Sequence, residues 1–286
     1  MRRTLLGCAV VAMYLAELCS AQEVHVPALV SAGNETAIST TGSGKATLYL
    51  SGPGISSKTE INLGEKFILH SEDVRNAGEY VTIVCTDVCR SAVFHVRPSK
   101  PAYLTFLVHP SRVPVGQGDA VSGVALPFDE FHNLVLDRVK VSFQSTAGDL
   151  RILSQSVLTQ DGVGWFRAAS GKSAGKLQIV ATVDSLSSVR AVQQVASDPC
   201  NLRTKAHRTP KGVDIETEPV RDCSGNLVPD GTIVTFSAAG PGGRNTVDAP
   251  IKQGIARAHI QTPGSLVISA ASGTVMGNEV RLGEQP

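Results

Sequence analysis

Aromatic side chains are scarce in this chain: they form 5% of its 286 residues, with a single tryptophan, although 42% of residues are hydrophobic. Valine, isoleucine, leucine and alanine must therefore fill the cores, and an aromatic-lined carbohydrate cleft is disfavoured. Neither sign of charge is in excess, with 26 basic against 25 acidic residues and a net charge of +1. That gives no reason to expect nucleic acid or an anionic membrane as a partner. No long amphipathic helical pattern follows the N-terminus. Parallel α/β folds need crossover helices between strands, so they are disfavoured. The histidines at 25, 70, 95, 109, 132, 207 and 259 are dispersed, with no His-Glu-x-x-His spacing. No dense carboxylate loop offers the six to eight oxygens that calcium needs. No cofactor is implied.

What is present begins with residues 1–21. Arg2 and Arg3 precede a mostly apolar run from Leu5 to Leu18, and Cys19-Ser20-Ala21 supplies small residues for a cut after Ala21. This is a secretory signal pattern, too short to span a bilayer. No later apolar run is long enough to do so. The mature chain is therefore expected outside the cytoplasm: secreted, periplasmic or on the cell surface. Cys8 and Cys19 leave with the signal, and Cys85, Cys89, Cys200 and Cys223 remain. An even count in an oxidising compartment predicts two disulfides, Cys85 with Cys89 and Cys200 with Cys223, each pair within one domain. A zinc site using Cys85, Cys89 and His95 is the competing reading.

Internal similarity organises the rest. Asp129-Glu130-Phe131-His132-Asn133-Leu134-Val135-Leu136-Asp137 matches Asp222-Cys223-Ser224-Gly225-Asn226-Leu227-Val228-Pro229-Asp230 at one constant offset, which also aligns Val141 and Phe143 with Val234 and Phe236. A second landmark occurs three times, at Ala77-Gly78, Ala174-Gly175 and Pro263-Gly264, each followed by an alternating run. Residues two apart on a strand share a face, so Leu177 and Ile179 are predicted inward and Lys176 and Gln178 outward. Arg97-Pro98-Ser99-Lys100-Pro101 and Ser197-Asp198-Pro199 read as linkers. Three sandwiches are expected, over 22–98, 99–196 and 197–286, each near the length of an immunoglobulin-like domain. Pro110, Pro114, Pro127, Pro229 and Pro250 are expected to interrupt the strand runs.

These phrases resemble bacterial immunoglobulin-like domains of the invasin and intimin type. The resemblance rests on Asp222, Gly225-Asn226-Leu227-Val228, Val234-Thr235-Phe236 and Gly264-Ser265-Leu266-Val267-Ile268-Ser269-Ala270 in the third unit. In the second it rests on Asp129, Asn133-Leu134-Val135, Val141-Ser142-Phe143, Asp161-Gly162-Val163 and Ala174-Gly175. His132 stands where that family has a turn glycine, and the first unit shares only its closing hairpin. The resemblance implies an all-β tandem of sandwiches in an adhesin or a stalk. It marks turns and core strands, so it specifies fold more than function.

The loop residues Asp129, Asn133, Asp137, Asp222, Gly225, Asn226 and Asp230 are expected to brace turns in preference to binding calcium. Gly171-Lys172-Ser173-Ala174-Gly175 fits the Gly-x-Ser-x-Gly string of serine hydrolases. It joins two strands, however, and the string needs a strand–turn–helix elbow. No catalytic or metal residue is assigned, and the chain reads as a non-enzyme. Trp165 is expected to pack in a core, with sugar stacking as the other possibility. Pro241-Gly242-Gly243-Arg244-Asn245 reads as a mobile loop able to touch a partner. The function expected is structural or adhesive: spacing the domains or presenting loops to an envelope or extracellular macromolecule. A carbohydrate- or ligand-binding module, of the kind accessory to an extracellular enzyme, is the alternative.

Overall fold

The structure, a computed structural model, describes residues 22–148 and 150–283, so the expected signal segment lies outside it. Among the described residues every regular element is a β-strand. The described residues fall into two compact units, divided between Ser99 and Lys100.

The first unit packs two sheets. β1 (Val24–His25), β3 (Thr36–Thr40) and β6 (Lys66–Leu69) form the smaller. The larger runs β2 (Leu29–Ser31), β8 (Cys89–Arg97), β7 (Gly78–Cys85), β4 (Lys45–Gly52), β5 (Ile55–Asn62), with β2 parallel to β8. Alternation sends Tyr80, Thr82 and Val84 of β7 inward, all fully buried. Tyr80 stacks on Phe94 with ring centroids 5.2 Å apart, and its hydroxyl donates to the Asn76 carbonyl at 2.9 Å. Burial raises the phenol's pKa. The buried hydroxyl has its partner, so the ring adds core area without an orphaned polar group.

The second unit holds two sheet pairs. In one, β9 (Tyr103–His109), β11 (Val121–Phe128) and β14 (Gly164–Ala168) form a three-stranded sheet with β11 central. It faces a sheet ordered β10 (Arg112–Pro114), β16 (Leu186–Val195), β15 (Gly175–Val183), β12 (Lys140–Ala147), β13 (Leu150–Leu158). Phe106, Phe143 and Phe166 meet between them, with centroids 4.7 to 6.1 Å apart. Leu177 and Ile179 are fully buried beside them.

The other pair repeats this plan. β18 (Thr204–Thr209), β19 (Gly212–Thr217) and β23 (Arg257–Ile260) face a sheet of β22 (Gly243–Pro250), β21 (Ile233–Gly240), β24 (Leu266–Ser272), β25 (Val275–Met276) and β26 (Val280–Leu282). β17 (Pro199–Asn201) and β20 (Arg221–Asp222) form a short ribbon. Phe236 is the one large ring in this core, surrounded by Val213, Ile215, Val234 and Ile268. Phe143 and Phe236 thus hold matching places.

Three expectations change. Trp165 is 61% exposed, because its neighbour Phe166 takes the inward position on β14. Pro241-Gly242 is a two-residue turn, and Gly243, Arg244 and Asn245 pair with β21, so the expected mobile loop is a hairpin. Pro114, Pro127 and Pro250 lie inside strands. Pro114 and Pro250 sit on the edge strands β10 and β22, while Pro127 lies past Ala125, where the pairing of β14 with β11 stops. A proline is tolerated where no neighbour requires its missing amide.

Candidate functional site

The repeated phrase builds the same loop twice. Asp222 ends β20 and is buried. Its Oδ1 accepts the amide N–H groups of Ser224 and Asn226, each at 2.9 Å, and its Oδ2 accepts the side-chain amide of Asn226 at 3.0 Å. Asp129 does the same in the preceding sheet pair. It accepts Phe131 N at 3.0 Å, Asn133 N at 2.8 Å and Asn133 Nδ2 at 2.9 Å. A short carboxylate reaches amides two and four residues on, which folds the loop locally. The residue between must take a left-handed backbone. Gly225 does so at φ 87°, and His132 at φ 64°. Histidine is the costlier choice there, and its ring lies against Tyr103 with centroids 4.9 Å apart.

In the third sheet pair the loop also reaches outward. Asn226 Nδ2 donates to the Lys172 carbonyl at 2.8 Å, and its Oδ1 accepts the Ala174 N–H at 2.9 Å. The amide side chain thus uses its acceptor and both donor positions. Lys172 and Ala174 belong to the loop between β14 and β15, which the hydrolase-like string occupies. Gln194 of β16, itself buried, shapes this socket: its Oε1 accepts from Gly171 N, and its Nε2 donates to the Ser173 carbonyl at 3.1 Å. The string is therefore a strand–turn–strand docking loop. Ser197 N, in the connecting segment, donates to Asp222 Oδ2 at 3.0 Å. One carboxylate ties linker, loop and latch together.

Electrostatics favour the arrangement. Burial pushes the Asp222 carboxyl upward, but hydrogen bonds from Asn226, backbone and side chain, and from the Ser197 and Ser224 amides outweigh it. The carboxyl is held below its ordinary range. The Cys200–Cys223 disulfide pins the start of this sheet pair to the same loop, with Cα atoms 4.8 Å apart. Cys85–Cys89 instead closes the tip of the β7–β8 hairpin. That bond consumes both thiolates, so the zinc alternative fails. His95 pairs with Glu79 at 3.4 Å.

The remaining predicted residues lie apart. Asp137 and Asp230 are exposed and do not join the loops their neighbours build. Among the described residues no group of three His, Cys, Asp or Glu is placed to hold a metal ion. Trp165 lies on the outer face of β14, in one cross-strand row with Val124 and Leu107. Arg244 is exposed beside the β21–β22 turn.

Sequence reasoning missed the socket at Lys172 and Ala174, as well as a charged row across β18, β19 and β23. There His259 Nδ1 lies 2.6 Å from Asp214 Oδ1, and His207 Nε2 lies 3.6 Å from Asp214 Oδ2. The hydrogen bond to Asp214 raises the His259 pKa. Period-two spacing of His207 with Lys205, and of Asp214 with Glu216, was the available signal.

Fold and joint together define a tandem array of immunoglobulin-like sandwiches. No protein-family model and no curated protein sequence matches the chain. Solved structures share the fold. The Escherichia coli adhesin FdeC matches at TM-score 0.64 and 13% identity, over 93% of this chain and 97% of that one. Invasin, a bacterial integrin-binding protein, matches at 0.52 and 12%, over 93% of this chain and 60% of that one. Yersinia pseudotuberculosis InvD matches at 0.50 and 11%, over 92% and 98%. Among the described residues no helix is long and apolar enough to cross a membrane.

Proposed function

We propose that this is an exported, non-enzymatic adhesive or spacer protein whose sandwiches, over 22–98, 99–196 and 197–286, present loops to an extracellular or envelope macromolecule. The observation that carries this reading is the Asn226 latch. A side-chain amide of one sandwich is spent entirely on its own loop and on the backbone of another. Such a joint transmits position, which a presenting stalk requires and a lone binding module does not. Likeness in fold to FdeC, invasin and InvD supports the adhesive part. The two disulfides support a location outside the cytoplasm.

The test is saturable binding of the purified chain to immobilised extracellular-matrix proteins. Binding that survives Trp165→Ala supports the proposal, and absence of binding to any such surface argues against adhesion. A second reading, carbohydrate binding, draws on one observation: exposed Trp165 and Leu107 flank half-buried Val124 in one apolar row, with His109 and Arg167 beside it. An indole face of this kind can stack on a sugar. Glycan-array binding abolished by Trp165→Ala would move the assignment there.

A further inference from the structure

The socket that receives Asn226 has a counterpart position in the third sandwich, and strand register identifies it. Phe143 pairs with Ala181, and Phe236 pairs with Ala270. Counting back along β15 and β24 from those alanines sets Leu177 against Leu266, Gly175 against Gly264, and Ala174 against Pro263. Ala174 supplies the N–H that the latch oxygen accepts. Proline has no N–H to give.

The surrounding rim differs as well. Gly175 has φ 141°, close to the 145° of Gly78, but Gly264 has φ 80°. The loop after β23 therefore runs a different course from the loop after β14. Arg208, from β18, closes it from within. Its guanidinium donates to the Gly264 carbonyl and, at 2.8 and 3.0 Å, to the Gly283 carbonyl. The Gly264 carbonyl, which corresponds to that of Gly175, is thus engaged by the sandwich's own Arg208, so what this end lacks for a latch is the amide at Pro263.

We propose that the third sandwich terminates the latched series: its end around Pro263 cannot accept an Asn latch, from a further module in line or from a second copy of this chain. It is an acceptor-dead end in the sense of a capping repeat, whose outer face differs from the interior ones. A module attached there turns freely, whereas the third sandwich is held by the second. The inference rests on the reading of Asn226 as an interdomain latch.

The experiment appends a second copy of residues 197–286 to the chain. Spin-label pairs span each joint, and interlabel distance distributions are measured. The expected result is a narrow distribution across the second-to-third joint and one at least twice as wide across the third-to-appended joint. Ala174→Pro, which imports the third sandwich's residue into the socket, should widen the first joint to match. Asn226→Ala should do the same from the other side, in case the proline disturbs β15. A third-to-appended joint as narrow as the first, and widened when the appended copy's own latch asparagine is replaced, overturns the inference while leaving the latch intact. A first joint unmoved by both Ala174→Pro and Asn226→Ala overturns the latch and the inference together.

Discussion

Asp222 and Asn226 concentrate several jobs in two small side chains. The folded carboxyl is held below its ordinary value of 3.8, so the unfolded chain binds the proton more readily. Its stabilisation is therefore complete at neutral pH, begins to fade as the pH drops to that ordinary value, and is gone once the pH has fallen through the folded value. Asp222→Asn should cost about 2 kcal/mol at neutral pH, the scale of a hydrogen bond to a charged acceptor. It should also flatten the acid limb of a denaturant-unfolding series. Asn226→Asp should be worse than Asn226→Ala in the same assay. It removes the side-chain donors to the Lys172 carbonyl and to Asp222 and sets a second carboxylate against Asp222, and like charges at that distance disfavour ionisation. In the charged row on β19 and β23, the His259 imidazole should titrate above 6.5 by NMR and return towards it in Asp214→Asn.

At the scale of elements, the sheets are held by alternating apolar residues, and the disulfides act on different lengths of chain. Phe143→Ala removes the ring that touches both Phe106 and Phe166. A loss of about 3 to 5 kcal/mol is expected by chemical denaturation. Cys200 and Cys223 are 23 residues apart, against 4 for Cys85 and Cys89. If loop closure in the unfolded chain dominates, replacing the former pair with serine should cost about 3 kcal/mol and the latter about 2. Strand parity was legible wherever one face was plainly apolar, as at Leu177 and Ile179. It was not legible at Trp165-Phe166, because adjacent residues point to opposite faces and both are large. The register of β14 on β11, which pairs Phe166 with Gly123 and Trp165 with Val124, decides it. Glycine opposite Phe166 leaves room for the inward ring.

At the scale of the molecule, the proposed Asn226 joint within the second unit would couple its two sandwiches. In calorimetry, Asn226→Ala should separate the unfolding of the two sandwiches of that unit, lowering the weaker one's midpoint by a few degrees and leaving the other in place. Overlapping, unshifted transitions would mean the joint carries no coupling. The repeat itself was visible from residues alone, because its Asp, Asn-Leu-Val and Val-x-Phe positions are fixed by local turns and core-facing strands.

What the sequence determined by itself is whatever physics acts over a few residues: the period-two strands, the Asp-braced turns, the number of cysteines, and the recurrence of one phrase. The tertiary structure alone decided what those turns touch. Lys172 and Ala174 come to Asn226 only because loops of two separate sheet pairs meet, and no local propensity encodes that meeting. The same distance from local rules hid the identity of a serine-hydrolase-like string as a docking loop. It also hid the consequence of a proline where that loop would otherwise have offered an amide.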